Sequence, residues 1–354
     1  MSEGENIINV TFLVGNGFDL SVGLKTSYTS FYEWYCKTNS KSEIISEFKE
    51  NIRQDIETNG ENWSDFEMGL AQHTALCKDS NDFIECYEDA RNELMIYLEK
   101  ENSRFNQLKI DSTLLPGFYG GLVNFLCTLS PMEKQSIEKK LKTKQESIYF
   151  NFINFNYTNA LDRCVNLTSR GNIGSLNFSG ICAICYIKRE IIHIHGTIDN
   201  FPIIGVSESK DIKNHDFRET EEIQTLLLKS KSITSIGQFW YNEAEQLIEN
   251  SRIICIFGMS LGRTDSHWWQ NIAKWLTFDT NNELLIFWYD KDYLNNRSTY
   301  RYNHIINSVR NKFISYTNFS KDEIDNVVNR IHVVINTTSV LTTKIRGIIS
   351  DNTI

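Results

Sequence analysis

The sequence predicts an α/β protein: a parallel sheet flanked by helices, with a large helical insertion after the first strand. Three observations lead to this prediction. A short β-branched run, Ile7–Val14, ends at a glycine. Residues 27–144 then carry apolar side chains at helical spacing, and strand-like runs alternating with helical patterns follow. Strands that alternate with helices form parallel βαβ units.

The individual elements follow from their periodicity. Ile7–Val14 is apolar on both faces, as in a strand buried on both sides. Residues 27–144 predict about five helices, with N-caps within 26–30 and 79–81. Further strands are predicted at 147–154, 190–195, 252–257, 283–289 and 331–336, and helices at 233–248, 266–278 and 299–313.

Residues 170–187 predict an irregular hairpin containing Cys182 and Cys185. Two cysteines are half of a structural zinc site, and no second pair has suitable spacing. Two packed thiols are therefore the preferred interpretation, and no metal is expected.

Composition excludes several classes of protein. The 354 residues are 41% hydrophobic, enough for a sizeable core in one large or two modest domains. A net charge of −9 argues against a broad electrostatic contact with nucleic acid. Apolar runs are too short to span a membrane, and the first residues lack the basic region of a signal peptide. With eight scattered cysteines read as reduced thiols, the expected location is cytoplasmic.

The first of four polar motifs follows the first strand. Ligands of open α/β sheets bind beyond the carboxyl ends of the strands. Gly15 and Gly17 let the backbone approach a pyrophosphate, whose charge the next helix N-terminus favours. A tight turn is the alternative for the glycines, and a helix N-cap is the alternative for Asp19.

The second and third motifs follow later strands. Asn156 offers donors and an acceptor to a ribose or a water; the alternative is a polar turn with Thr158 or Asn159 as a cap. His193 and His195 would share a face of a strand, as in a metal pair, but no acidic or thiol partner is near in sequence. His195 at the strand end is the candidate general base, and His193 is interpreted as structural.

The fourth motif, residues 258–265, is a glycine-bearing loop that opens a helix. Ser260 and the loop amides are candidates for binding phosphate or ribose, whereas Asp265 has a helix cap as its alternative. A capping box is preferred for Ser64 and Glu67, with Glu67 facing the cleft as the alternative.

Together these motifs resemble the bacteriophage abortive-infection family AbiH. The resemblance rests on residues 15–20, 23–24, 26–28, 62–67, 155–158, 193–196 and 258–265. More remotely, the same order is similar to the sirtuin-like superfamily. That likeness implies a Rossmann-like core formed by residues 1–26 and 145–354, with residues 27–144 as the helical insertion.

The superfamily resemblance also implies NAD as the ligand. Gly15 and Gly17 then fall in the phosphate loop, Asn156 on the catalytic asparagine and His195 on the catalytic histidine. Gly258 and Ser260 fall in the adenosine loop. The full nucleotide-binding set is predicted to be Gly15, Asn16, Gly17, Phe18, Thr158, Gly258, Ser260 and Asp265. Thr158 replaces the superfamily's acid and the four-cysteine zinc module is absent, so protein deacylation is not expected.

Defence-associated relatives in this superfamily hydrolyse NAD, and this is the working hypothesis. Asn156 would orient the ribose or a water, His195 would accept a proton, and Asp19 would stabilise developing positive charge. A nucleotide sensor without turnover and a metal-dependent nuclease are the alternatives. Abortive infection requires an off state, which leaves open a phage-derived trigger and the insertion as a lid or a homo-oligomer interface.

Overall fold

A computed structural model describes residues 7–58, 63–108, 115–141, 147–167, 171–178, 181–237, 239–295 and 298–341. The protein has a seven-stranded sheet with helices on both faces, which confirms the α/β prediction. The strands are β1 Ile7–Val14, β2 Ser147–Asn154, β3 Asn172–Phe178, β4 Ile181–His193, β5 Ile253–Phe257, β6 Glu283–Trp288 and β7 Ile331–Ile335.

The sheet has the order β3-β4-β2-β1-β5-β6-β7. Six strands are parallel, and β3 at one edge is antiparallel to β4. From β1 the chain builds one half of the sheet through β2 and β4, then crosses to build the other half through β5, β6 and β7. Strand β1 therefore lies where the two halves meet, with β2 and β5 as its neighbours.

Seven helices lie between β1 and β2, and nine follow in the later described segments. The first seven are α1 Gly17–Ser21, α2 Tyr28–Tyr35, α3 Glu43–Thr58, α4 Phe66–His73, α5 Ser80–Gln107, α6 Leu115–Val123 and α7 Pro131–Lys140. The others are α8 Ala160–Val165, α9 His215–Arg218, α10 Glu221–Leu227, α11 Lys229–Ile236, α12 Trp240–Glu249, α13 Ser266–Phe278, α14 Lys291–Asn295, α15 Thr299–Ser315 and α16 Lys321–Val327. In the described residues, no helix is long and apolar enough to cross a membrane.

Three hydrophobic clusters hold these elements together. One covers the sheet face that receives Phe12 of β1, with helices α6 to α8. Another covers the opposite face, which receives Leu13, with α12, α13 and α15. Burial on both faces explains the continuous apolar run of β1. The third cluster joins α2 to α5 with residues 204–228 rather than with the sheet.

Several predicted boundaries need correction. The helix predicted at 233–248 is two helices, because Gly237 adopts a left-handed φ of 66° after α11. The strand predicted at 190–195 begins at Ile181 and ends at His193. The hairpin over 170–187 is a regular antiparallel pair, β3 with β4. Within 27–144 the described residues form six α-helices instead of about five, whereas β1, β2 and α13 have the predicted bounds.

Two adjacent glycines of α6 provide a test of the packing between this helix and residues near position 340. A Cβ on Gly121 would lie 2.1 Å from the carbonyl oxygen of Ser339, whereas one on Gly120 would meet nothing within 4 Å. We expect Gly121→Ala to lower the free energy of unfolding by about 1–3 kcal/mol through overpacking. The matched control Gly120→Ala should raise it by roughly 0.5–1 kcal/mol, because alanine favours the helix. Equal effects in urea denaturation would contradict this packing.

Candidate functional site

A cavity of about 1330 Å³ lies beyond the carboxyl ends of the parallel strands. Loops after all six strands contribute to its wall, and helices α2, α4 and α5 contribute from the other side. Representative lining residues from these elements are Gly15, Asn156, His195, Gly258, Tyr289, Asn336, Tyr28, Glu67 and Leu94. Every predicted site residue lines the cavity except Phe18, whose side chain is fully buried in the core.

The loops after β1 and β5 pack backbone against backbone. A Cβ on Gly17 would lie 2.5 Å from the Cα of Gly258, and one on Gly15 would lie 2.9 Å from the carbonyl oxygen of Gly258. Gly258 itself has a φ of 68°. Contact between the two loops is thus sufficient to explain the three glycines.

The same contact changes the role predicted for the first loop. The amide of Gly15 donates to the carbonyl of Phe257 at 2.9 Å, that of Gly17 to Gly258 at 2.8 Å, and that of Phe18 to Gly15 at 3.0 Å. These three amides hold the loop itself and are not free to bind a pyrophosphate in this arrangement. The assignment of the Gly15, Gly17 and Phe18 amides to phosphate is therefore corrected.

The second loop is different. Within the described residues, the amides of residues 258–260 donate to no protein acceptor, and Ser260 is exposed. The loop is anchored at its far end, where Trp269 Nε1 donates to the carbonyl of Gly262 at 2.8 Å. The side chain of Asn16 in the first loop is engaged by Thr26, whose carbonyl oxygen accepts a hydrogen bond from Asn16 Nδ2 at 2.9 Å. The amides of residues 258–260 in the loop after β5 are therefore available to bind an anion.

Asp19 organises the loop that follows β2. Its Oδ1 accepts from Asn156 Nδ2 at 3.0 Å, and its Oδ2 accepts from the Thr158 hydroxyl at 2.6 Å. Asn156 Nδ2 also donates to the carbonyl of Gly15 at 3.1 Å. Both amide donors of Asn156 are then used, which leaves its Oδ1 as the atom able to accept from a ligand.

Asp19 is not a helix cap. It lies inside α1, whose N-cap residue is Asn16, and it is only 1% exposed. Burial raises its pKa to about 7, although the hydrogen bonds from Thr158 and Asn156 oppose this shift. Near neutral pH the carboxyl is therefore divided between its two protonation states.

His195 lies just beyond β4, against the edge of the Phe155 ring. Its Nε2 is buried and lies 3.3 Å from Asp265 Oδ1, without an aligned hydrogen bond. Burial lowers the pKa of His195, and the nearby Lys229 ammonium lowers it further. The imidazole is therefore neutral at physiological pH, as a general base must be.

Lys229 joins two carboxylates, of which Glu67 is buried and Asp265 is partly exposed. Its Nζ donates to Asp265 Oδ1 at 2.8 Å and to the carbonyl of Thr264 at 3.1 Å, and it lies 3.0 Å from Glu67 Oε2. The side chain is 4% exposed. Burial lowers the pKa of Lys229, but the two carboxylates outweigh burial and raise it. This lysine begins α11 and connects α4 to the loop before α13.

The two carboxylates respond differently to one ammonium. Burial raises the pKa of Glu67 to about 8 despite Lys229. Burial also acts on Asp265, but Lys229 and His195 hold the pKa of that carboxyl well below its usual range. Asp265 therefore carries the negative charge beside His195, and Glu67 is the group that takes up a proton first.

Two predicted helix caps differ from those observed. Asp65 caps α4, accepting from the amides of Glu67 at 3.1 Å and Met68 at 3.2 Å, so the preferred capping box of Ser64 and Glu67 was wrong. Glu67 instead lines the cavity. Asp265 occupies the N-cap position of α13, but its side chain makes no capping hydrogen bond because it faces Lys229.

The two histidines and the two cysteines that the sequence paired have different surroundings in the structure. His193 ends β4 and contacts the carbonyl of Asn156 and the carboxylate of Asp162, so it does not share surroundings with His195. Cys182 is exposed while Cys185 is buried, so they are not two packed thiols. In the described ranges, no group of three or more histidine, cysteine or acidic side chains is arranged to hold a metal ion. The arrangement of these side chains does not support the interpretation as a metal-dependent nuclease.

Comparison with known proteins identifies the family. A sequence model described as bacteriophage abortive infection AbiH matches residues 11–288. This chain belongs to the AbiH family. No curated protein matches it. Membership indicates a role in abortive infection. The matched range contains the cavity-lining residues described above, from Asp19 to Asp265.

The protonation of Asp19 makes the stability of this AbiH protein depend on pH. The pKa is about 7 in the fold against an ordinary 3.8, so the folded state binds the extra proton. The free energy of unfolding should therefore fall as pH rises from about 4 to 7. Asp19→Asn keeps an acceptor for Asn156 and removes the buried charge.

We expect Asp19→Asn to be more stable than the wild type by roughly 1–3 kcal/mol at pH 8, and equal to it near pH 4. Urea denaturation at both pH values measures the difference. The exposed Asp199→Asn is the control and should show no such pH-dependent gain. A constant loss of stability in Asp19→Asn across the pH range would contradict a raised pKa.

Proposed function

We propose that this AbiH protein is an NAD hydrolase that cleaves the nicotinamide–ribose bond during abortive infection. The observation that carries the proposal is a single cavity lined by a neutral buried histidine, an asparagine with a free acceptor and a loop with free amides. These are the parts needed to accept a proton, orient a ribose or water, and bind phosphate.

The topology supports a Rossmann-like interpretation. Without the antiparallel β3, the strands follow the order in which two halves of a doubly wound sheet meet at the first strand. Dinucleotides bind in such folds where the strand order reverses, which here is the cavity beside β1 and β5. The separate hydrophobic cluster of α2 to α5 supports an insertion over that part of residues 27–144, whereas α6 and α7 pack on the sheet.

The lining is compatible with NAD. The cavity volume of about 1330 Å³ exceeds the 300–1,000 Å³ common for ligand pockets, as an extended dinucleotide requires. The free amides of residues 258–260 and the Ser260 hydroxyl would hold the pyrophosphate. Tyr157 beside His195 and Tyr28 elsewhere in the lining provide aromatic surface for a ring.

Hydrolysis would break the bond between ribose C1′ and the nicotinamide nitrogen, whose electron pair leaves with nicotinamide. Water adds to C1′ and yields ADP-ribose, while His195 accepts the proton. Asn156 Oδ1 would accept from the water or a ribose hydroxyl. Asp19, with both oxygens bound to Asn156 and Thr158, acts as a positioning residue rather than by contact with the ribose. A positioned general base contributes about 10²–10⁴-fold to such a rate.

Removal of either contacting side chain should abolish turnover. We expect His195→Ala and Asn156→Ala to lower the rate of NAD loss at least about 100-fold, measured by chromatography of nicotinamide and ADP-ribose. His304→Ala, an exposed histidine on α15, is the control and should retain activity. If folded His195→Ala and Asn156→Ala proteins both keep wild-type activity, the proposal fails.

A nucleotide sensor is the second candidate. Both oxygens of Asp19 are engaged, and Thr158 stands where the superfamily has an acid, so no free carboxylate faces the ligand beside Asn156. Binding of NAD or ADP-ribose by calorimetry, without product on long incubation, would select the sensor. In both cases α2, α4 and α5 line the cavity, which supports the lid rather than the oligomer interpretation of these helices.

A further inference from the structure

Lys229 and His195 meet at the same oxygen atom. Asp265 Oδ1 accepts a hydrogen bond from Lys229 Nζ at 2.8 Å, and His195 Nε2 lies 3.3 Å from that oxygen. The imidazole nitrogen is buried and has no hydrogen-bond partner. A buried nitrogen without a hydrogen bond is unfavourable, and an imidazolium at this position would bind Asp265. Another cation that occupies Asp265 explains why His195 does not.

We propose that Lys229 is a positioning residue that keeps His195 in its neutral, proton-accepting form by occupying Asp265 Oδ1. The importance of the neutral form for turnover rests on the proposed function, whereas the competition between Lys229 and His195 does not. Sequence reasoning assigned no role to Lys229.

The competition follows from the contacts of the ammonium. Lys229 is held by Asp265, by the carbonyl of Thr264 and by Glu67, so it stays in place when one contact weakens. Its positive charge opposes a second positive charge on His195. When His195 accepts a proton from a substrate, the imidazolium is already within reach of Asp265. The arrangement thus disfavours a resting imidazolium and stabilises one formed during reaction.

Glu67 connects Lys229 to helix α4, which belongs to the cluster of α2 to α5. It lies on α4, and its Oε2 lies 3.0 Å from Lys229 Nζ. The charged or titratable groups near His195 or near its neighbours Lys229 and Asp265 come from several elements. They are Asp265 before α13, Lys229 on α11, Glu67 and Asp65 at α4, Tyr157 after β2 and Tyr241 on α12. Among these groups, Lys229 carries the positive charge.

The test is the titration of His195 in the full-length protein. NMR follows the Cε1–Hε1 resonance of each of the seven histidines, and His195→Ala identifies the resonance of interest. We expect the wild-type midpoint to lie below that of an exposed histidine. Lys229→Met should raise it by roughly one to two pH units, because Asp265 is then free to pair with the imidazolium. Lys229→Arg keeps the charge and should restore the low midpoint.

Glu67→Gln is the matched control. It removes the second carboxylate that contacts Lys229 but leaves the ammonium, so the midpoint should not rise. A rise in Lys229→Met without a rise in Glu67→Gln would not arise from general loosening of the site. An unchanged midpoint in Lys229→Met, or an equal rise in Glu67→Gln, would overturn the proposal.

A double variant serves as the test if Lys229→Met alone does not fold. Glu67→Gln with Lys229→Met removes one acid and one base and leaves Asp265 paired with His195, and it should show the raised midpoint. An unchanged midpoint there would again overturn the role of Lys229. Because titration requires no turnover, expected midpoints without NAD hydrolysis would refute only the proposed function. Unshifted midpoints in an active hydrolase would refute only the role of Lys229.

Discussion

The backbone contact between the loops after β1 and β5 is the constraint on which the site depends. Gly15 and Gly17 touch Gly258 so closely that no side chain fits at any of the three positions. The amides of Gly15 and Gly17 are consumed by this contact, whereas that of Gly258 is not. The floor of the cavity is therefore a rigid, largely saturated surface. The groups able to contact a ligand are therefore the surrounding side chains and the amides of residues 258–260 in the second loop.

Several ionisable side chains that line the cavity or contact its lining are buried. Asp19, Glu67, Lys229 and His195 are each at most 5% exposed. Removing charges from water is unfavourable unless each finds a partner, and removal of one partner is more damaging than replacement of both. Here one ammonium serves two carboxylates, and one carboxyl orients an asparagine and a threonine. Such a concentration of desolvated charge is expected where function outweighs stability.

Prediction from sequence succeeded where the signal is local. The bounds of β1, β2 and α13 follow from apolar periodicity and polar ends, and the four motifs do line one cavity. Lys229 was missed because nothing nearby distinguishes it from the exposed Lys231. Its burial is decided by Glu67 and Asp265, which only the tertiary fold brings close. The choice of Asp65 over Ser64 as a cap is likewise invisible to residue type, since both are good caps.

The central position of β1 has a consequence for how the chain is made. Ile7 pairs with Ser147, 140 residues later, and Val10 pairs with Ile253, 243 residues later. An emerging polypeptide therefore carries an apolar strand that has no neighbour until β2 has been made and keeps one unpaired edge until β5 has been made. Contacts over such separations form slowly, and unpaired apolar strands are prone to aggregation. Folding of this protein on the ribosome must keep its first strand shielded until the second half of the sheet has been translated.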